Sequence, residues 1–582
     1  MKSWQQRERA LVTLAKETGY IRKPHGDRLR VALAFPNTYW VGMSNLGFQT
    51  VYRLFNAQDD IVCERVFLPP KQELAELTRA NAPLLMLESQ TPVNECDVLA
   101  FSVSFEWDYV NILTMLRLAG IPAYAADRTD RHPLVVIGGA VTFVNPEPLA
   151  LFADVIAAGE GEVLVPAFER AFREAAGRAD LLRALSHERG FYIPSFYEPQ
   201  YAPDGTMAGF KAVAGHEDIP NPVRKAAVKT TDALDPPATS IFTPDTEFGS
   251  RFLVEVVRGC ANLCRFCWAG YNYLPVRSFP TDRILDLAQA ARVYAQRVGL
   301  VSIALCDHPD IERILNRLFE MGYAISPASL RLDDLTDPIV RVLRASGEHG
   351  ITIAPETGSD RLRRVINKTV TNDEILDRAE LIFANGIENL KLYYMIGLPT
   401  ETDEDLVAIR DLTLQMRDVM MKHAKGRGQV GRIVGSVNPL IPKPGTAYQW
   451  LPMEDPAETD RKIKRLRKLT ADIDNVYFNI KSERHSYYQA LLSLGDRRVA
   501  PAIEAAERNG QNWRAAVEEA RVDADFFIFR DRSKDAALPW DIIDGGMKAA
   551  FFEAEYAKSL REEWTLPPKR QQENARLLPV IQ

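Results

Sequence analysis

The sequence lacks any uninterrupted apolar run of about 18 residues, the length a helix needs to cross a bilayer. Its first stretch, MKSWQQRERALVTLAKETGY, scatters charges where a secretory signal would carry a hydrophobic core. Both absences argue against a helical membrane protein and predict a cytoplasmic chain without a membrane partner. Cysteine is scarce, at six in 582 residues, yet three of the six fall within eight positions. That is too few for a disulfide framework, and the crowding points to a metal. An excess of positive charge is missing too. The formal net charge is -7, so a broad nucleic-acid interface is not indicated. Internal repeats and low-complexity tracts are also absent. The chain is long for one hydrophobic core, which predicts about two to four domains.

What is present is a βα rhythm. After an N-terminal helical extension over 1–27, residues 28–176 alternate strands such as LRVALAF, DVLAFSVS, LVVIGG and ADVIAAGEGE with amphipathic helices such as YVNILTMLRLAG. This predicts a Rossmann-like parallel sheet. Its strand ends carry small or polar residues, among them Asn37, Ser104, Gly139 and Gly159, where a ligand could approach the carboxyl edge. Residues 177–245 are rich in Pro, Asp and Thr and read as a linker. Over 246–450 the alternation resumes through FLVEVV, VSIALC, ISPASLR, ITIA, LKLYYMI and RIVGSV. Six βα units predict a partial barrel, a (β/α)6 relative of the TIM type, with chemistry at the carboxyl ends of its strands. One separating helix, TDRILDLAQAARVYAQRVG, is expected to be capped by Thr281 and stopped by Gly299. Residues 451–582 read as a helical C-terminal region. Its basic run from Arg461 to Lys468, punctuated by Ile463 and Leu466, reads as a solvated helix face.

The first barrel strand runs into Cys260-Ala-Asn-Leu-Cys264-Arg-Phe-Cys267. Thiolates select zinc or an iron-sulfur cluster, and four would be wanted to close either site. Only three are near. Three thiolates on a 4Fe-4S cubane leave one iron open to an exogenous ligand, whereas a zinc knuckle would need a distant Cys306 or His308 as its fourth ligand.

The CxxxCxxC loop, with Phe266 as the aromatic before the third cysteine, resembles the radical S-adenosylmethionine (SAM) superfamily. The resemblance implies that SAM chelates the open iron and is cleaved to a 5'-deoxyadenosyl radical that abstracts hydrogen from substrate. It also implies a reducing electron donor such as flavodoxin or ferredoxin. The Ser329-Leu-Arg331 run after the third strand and Glu356 after the fourth look like SAM-contacting elements, and their chemistry suits a cationic ligand bearing a carboxylate and a ribose. The stretches FPNTYWVGMSNLG, Asn145-Pro-Glu-Pro148, Gly159-Glu-Gly-Glu162 and NPLIPKPGTAYQW resemble the branch with an N-terminal cobalamin-binding domain. That implies a corrin surrounded by loops near Asn37, Ser44, Ser104, Gly139 and Gly159. One departure stands out: the Asp-x-His-x-x-Gly signature is missing, and no histidine lies between His25 and His132. The reading that follows is a cobalamin-dependent methyltransferase acting on an unactivated carbon. Its rivals are a non-methylating radical SAM enzyme, including an RNA modifier, and a noncatalytic cobalamin- or zinc-binding sensor.

Overall fold

Strand Leu29–Phe35, apolar except for Arg30, is buried along nearly its whole length and organises the front of the chain. It pairs in parallel with Ile61–Phe67 on one side and Val98–Ser102 on the other. Beyond these the sheet continues through Leu134–Gly138 and Val155–Ala157 to a short antiparallel edge, Phe191–Tyr192. The spatial order is 2-1-3-4-5-6. Its first five strands follow the doubly wound, flavodoxin-like order, in which the connections diverge between strands 1 and 3 and open a crevice at their carboxyl ends. The computed structural model describes residues 3–327, 330–332, 335–428 and 430–566.

By the density of their internal packing, these residues form two units. The first holds the chain up to Lys229, Pro237–Arg251 and Leu491–Gly546; the second holds Thr230–Pro236, Phe252–Ala490 and Met547 onward. The stretch 451–582, expected as one helical region, thus divides between the two units. Leu491–Gly546 belongs with the first unit because Asn145, of the Asn-Pro-Glu-Pro run, donates its buried amide to Ser493 O and Gly495 O at 3.0 and 2.8 Å. Arg497 adds an ion pair to buried Glu147 at 2.9 Å. The expected linker over 177–245 also contains ordered elements, a helix at Arg178–His187 and an antiparallel hairpin joining Tyr197–Tyr201 to Met207–Ala212.

The second unit has two four-stranded sheets. One runs Arg277–Ser278, Arg251–Arg258, Arg297–Ser302, Ala324–Pro327. The other runs Gly350–Glu356, Asn389–Ile396, Ile433–Pro439, Val476–Ile480 and is parallel throughout. Helices alternate with these strands, the βα succession of a partial barrel. Two local expectations fail. The helix that starts at Thr281 ends at Ala291, and Gly299 lies inside a strand. Thr281 does not cap this helix; its hydroxyl donates to Asp310 at 2.8 Å.

Gly139 and Gly159 have left-handed φ values of 108° and 147°. A Cβ on either would sit 2.2 Å from a backbone oxygen, that of Val103 or Ala226. They are therefore glycine because the chain's own backbone presses on them. A methyl group placed on Gly138 would meet no atom closer than 3.5 Å. Gly139→Ala should lower the thermal midpoint by several degrees, from strain of about 1–3 kcal/mol plus the clash, whereas Gly138→Ala should leave it nearly unchanged. A scan of both variants checks this, and equal midpoints would refute it.

Candidate functional site

The strand Arg251–Arg258 delivers the chain to the cysteine loop. Cys260 and Cys264 are buried and Cys267 is half-buried. The three thiols share one neighbourhood. Burial pushes the Cys264 thiol up, and the negative charges of Cys267 and Cys260 push it further. Burial raises Cys267 as well, opposed by the nearby backbone N–H groups of Gly270 and Ala269. Asn262 N lies 3.4 Å from the Cys260 sulfur. Three clustered thiols with backbone N–H groups close to their sulfurs suit the holding of thiolates, so these residues fit a 4Fe-4S cluster. Among the described residues, no three His, Cys, Asp or Glu side chains are arranged around one ion. A cubane differs from that case, because each thiolate binds a different iron.

Arg265, between the second and third cysteines, fixes the loop. It is fully buried and donates to Arg364 O at 2.7 Å, Val365 O at 3.0 Å and Glu563 O at 2.8 Å. Its Nε donates to the buried Glu555 carboxylate at 3.1 Å, and its own N–H reaches Ile366 O at 3.0 Å. Phe266 packs in a cluster with Tyr271, Leu362 and Phe552. Nothing in the sequence singles out Arg265 for this role.

Two of the expected SAM-contacting residues converge on the loop. Arg331 pairs with Asp307 at 2.8 Å, and its Nη1 lies 3.9 Å from the Cys260 sulfur. Asp307 also accepts from Ala261 N at 3.3 Å. Glu356 ends its strand after a register shift and has φ 66°. Such a bulge re-aims a side chain, and a left-handed glutamate costs on the order of 1 kcal/mol, strain of the kind found at functional sites. Its carboxylate lies 3.3 Å from Lys368, a residue that the sequence patterns do not mark. Burial raises the Glu356 pKa, against the pull of Lys368, and its charge also bears on Cys264 and Cys267. Ser329 lies outside the described residues. His308 is committed elsewhere: its Nε2 donates to Phe279 O at 2.8 Å and its Nδ1 accepts from Asp310 N at 3.0 Å, so neither nitrogen is open to zinc.

In the first unit, Asn37 and Ser104 follow the two strands that flank the crevice. Asn37 donates to Asp108 at 2.9 Å and accepts from Thr38 N at 2.8 Å. Ser104 accepts from Asn45 at 3.0 Å, while Ser44 donates to Trp40 O at 2.7 Å and accepts from Glu247 N at 2.8 Å. These side chains shape the loops. The same loops carry two aromatics, Trp40 and Phe105, exposed by 49% and 44%. A rim of exposed aromatics among amides and hydroxyls fits a large amphipathic ring such as a corrin. Asp108, buried beside Asn37 and Asn111, was not anticipated, and burial pushes its carboxyl up to about 6.

Residues 254–413 match the radical SAM superfamily, and residues 47–194 match the N-terminal domain of radical SAM proteins. The chain belongs to the radical SAM superfamily. An uncharacterised protein of Methanocaldococcus jannaschii is 26% identical over 507 residues, covering 86% of this chain and 97% of the relative. The tRNA-2-methylthio-N(6)-dimethylallyladenosine synthase of Aeromonas salmonicida is 22% identical over 270 residues, covering 44% of this chain and 53% of the synthase. The match thus spans about half of that enzyme. Among solved structures, the radical SAM methyltransferase TsrM from Kitasatospora setae, with cobalamin and a 4Fe-4S cluster bound, superposes with a TM-score of 0.50. It is 12% identical, covering 85% of this chain and 98% of TsrM, a likeness of fold.

Two outcomes follow from these contacts. Glu555→Leu strands the buried Arg265 charge, which should cost about 3–5 kcal/mol; the thermal midpoint and the iron retained per chain should both fall, and unchanged values of both would contradict the anchoring role. Asp108 is raised above its unfolded value, so the native state binds more protons and stability falls as pH rises from about 4 to 6. Asp108→Asn should therefore raise the thermal midpoint at pH 8 and leave it unchanged below pH 4, which melting curves at both pH values decide.

Proposed function

We propose that the protein is a cobalamin-dependent radical SAM methyltransferase acting on an unactivated carbon, served in the cytoplasm by a flavodoxin- or ferredoxin-type donor. The observation that carries the reading is the convergence of three thiols on one pinned loop with Glu356 and Arg331 beside them. Cys260, Cys264 and Cys267 would hold the cluster, leaving one iron open. Glu356 offers a carboxylate to the cationic ligand, and Arg331, whose two terminal nitrogens are both held by Asp307, offers positive charge and its remaining N–H groups to the ligand's carboxylate. When bound, the cluster supplies the electron that cleaves SAM, and cobalamin supplies the methyl group. Buried Tyr271, Leu362 and Phe552 around the loop exclude water, which a carbon radical requires. In the first unit, the loops bearing Asn37, Ser44 and Ser104, with Gly139 and Gly159 setting their backbones, would surround the corrin without a histidine from the missing signature.

The relatives that modify tRNA favour a second reading, an RNA methylthiotransferase. Such an enzyme needs thiolates for a second cluster, and the front of the chain offers only Cys63 and Cys96. Both are buried. Two cysteines are fewer than a second cluster takes, so the first reading is favoured.

Anaerobic reconstitution tests the assignment. The expected content is about four irons and four sulfides per chain, with one cobalamin. The triple variant Cys260→Ala, Cys264→Ala, Cys267→Ala should lose iron and sulfide, lose SAM cleavage and keep cobalamin. One zinc per chain, or iron retained by the variant, would overturn it.

A further inference from the structure

A second site lies away from the cysteine loop. A cavity of about 380 Å³ opens at the carboxyl ends of Ile433–Pro439 and Val476–Ile480, the last two strands of the parallel sheet. Its volume falls in the range of about 300–1,000 Å³ typical of small-molecule pockets. Ser436 and Asn479 are in register on adjacent strands, so their polar side chains face the same side, and Asn438 lies two residues further on. Two cations, Arg467 and Lys481, complete the lining, and no acidic residue is among it.

Most cations on the helix Pro456–Leu469 are already paired with carboxylates. Along that helix Arg461 pairs with Glu458 and Asp403, Lys462 with Glu401 and Glu454, Lys464 with Asp460, and Arg465 with Asp403. Arg467 and Lys481 have no ion-pair partner among the described residues. Burial holds the nearby His485 below its ordinary pKa, and the positive charge of Lys481 adds to the effect. An arginine fork and an ammonium beside two carboxamides and a hydroxyl form a donor set for an oxyanion.

We propose that this cavity binds a phosphate or carboxylate group on a small-molecule substrate and so orients it at the open face of the barrel. As a substrate site it rests on the radical SAM reading, but anion binding is measurable without the cluster. Calorimetric titration of the full chain, as purified, with inorganic phosphate and separately with succinate tells the two chemistries apart.

Saturable binding of one of them, weakened at least tenfold in Arg467→Gln/Lys481→Gln at an unchanged thermal midpoint, supports the proposal. Lys468→Gln, which removes a charge from the same helix outside the cavity, should bind as the parent does. Equal loss in Lys468→Gln, equal affinity of the double variant, or no saturation by either anion overturns the proposal. So does a transfer RNA that binds more than a hundredfold tighter than both and displaces them. Iron loading, read separately, reports on the cluster and leaves the two ideas distinguishable.

Discussion

A guanidinium with no access to water holds the cysteine loop. Arg265 satisfies its donors on three carbonyls and one carboxylate, and an unpaired charge there would be costly. Its partners come from two places: the end of the helix Asp360–Val365 that follows Glu356, and the C-terminal helix Ala549–Leu560 with the residues that follow it. The contacts therefore tie the sulfurs, the strained glutamate and the chain end together. Thiols that must each meet a different metal atom need a backbone that does not relax, and this network supplies it.

The same economy governs the first unit. Its crevice exists because the sheet order reverses between Leu29–Phe35 and Val98–Ser102, and its loops are kept in shape by internal hydrogen bonds. A carboxyl retained in burial at Asp108 is unfavourable for folding at neutral pH. Stability is given up there for a group placed next to the crevice, as commonly happens at functional sites.

Much of this was legible in the sequence. LRVALAF and LKLYYMI read as strands because nothing polar interrupts the buried face, and the cysteine spacing named the chemistry. What escaped depended on distant partners. The strand Ile61–Phe67 was hidden because Glu64 and Arg65 break its apolar run; Arg65 is neutralised by Glu17 and Glu88, both at 2.6 Å. Val476–Ile480 sits in charged surroundings and shows only a weak alternation. Arg265 looked like any surface arginine, since Glu555 lies 290 positions away. Gly139 and Gly159 stand out in the sequence as special positions, and the backbone packing of Val103 and Ala226 against them, which requires glycine, could not be read there.

The radical chemistry depends on an iron-sulfur site with three protein ligands and one open position. Electron paramagnetic resonance of the reduced, reconstituted protein, with and without SAM labelled at its amino nitrogen, tests that directly. The expected result is a changed cluster signal with hyperfine coupling to the label. A signal indifferent to SAM, or a site that holds no iron, would contradict it.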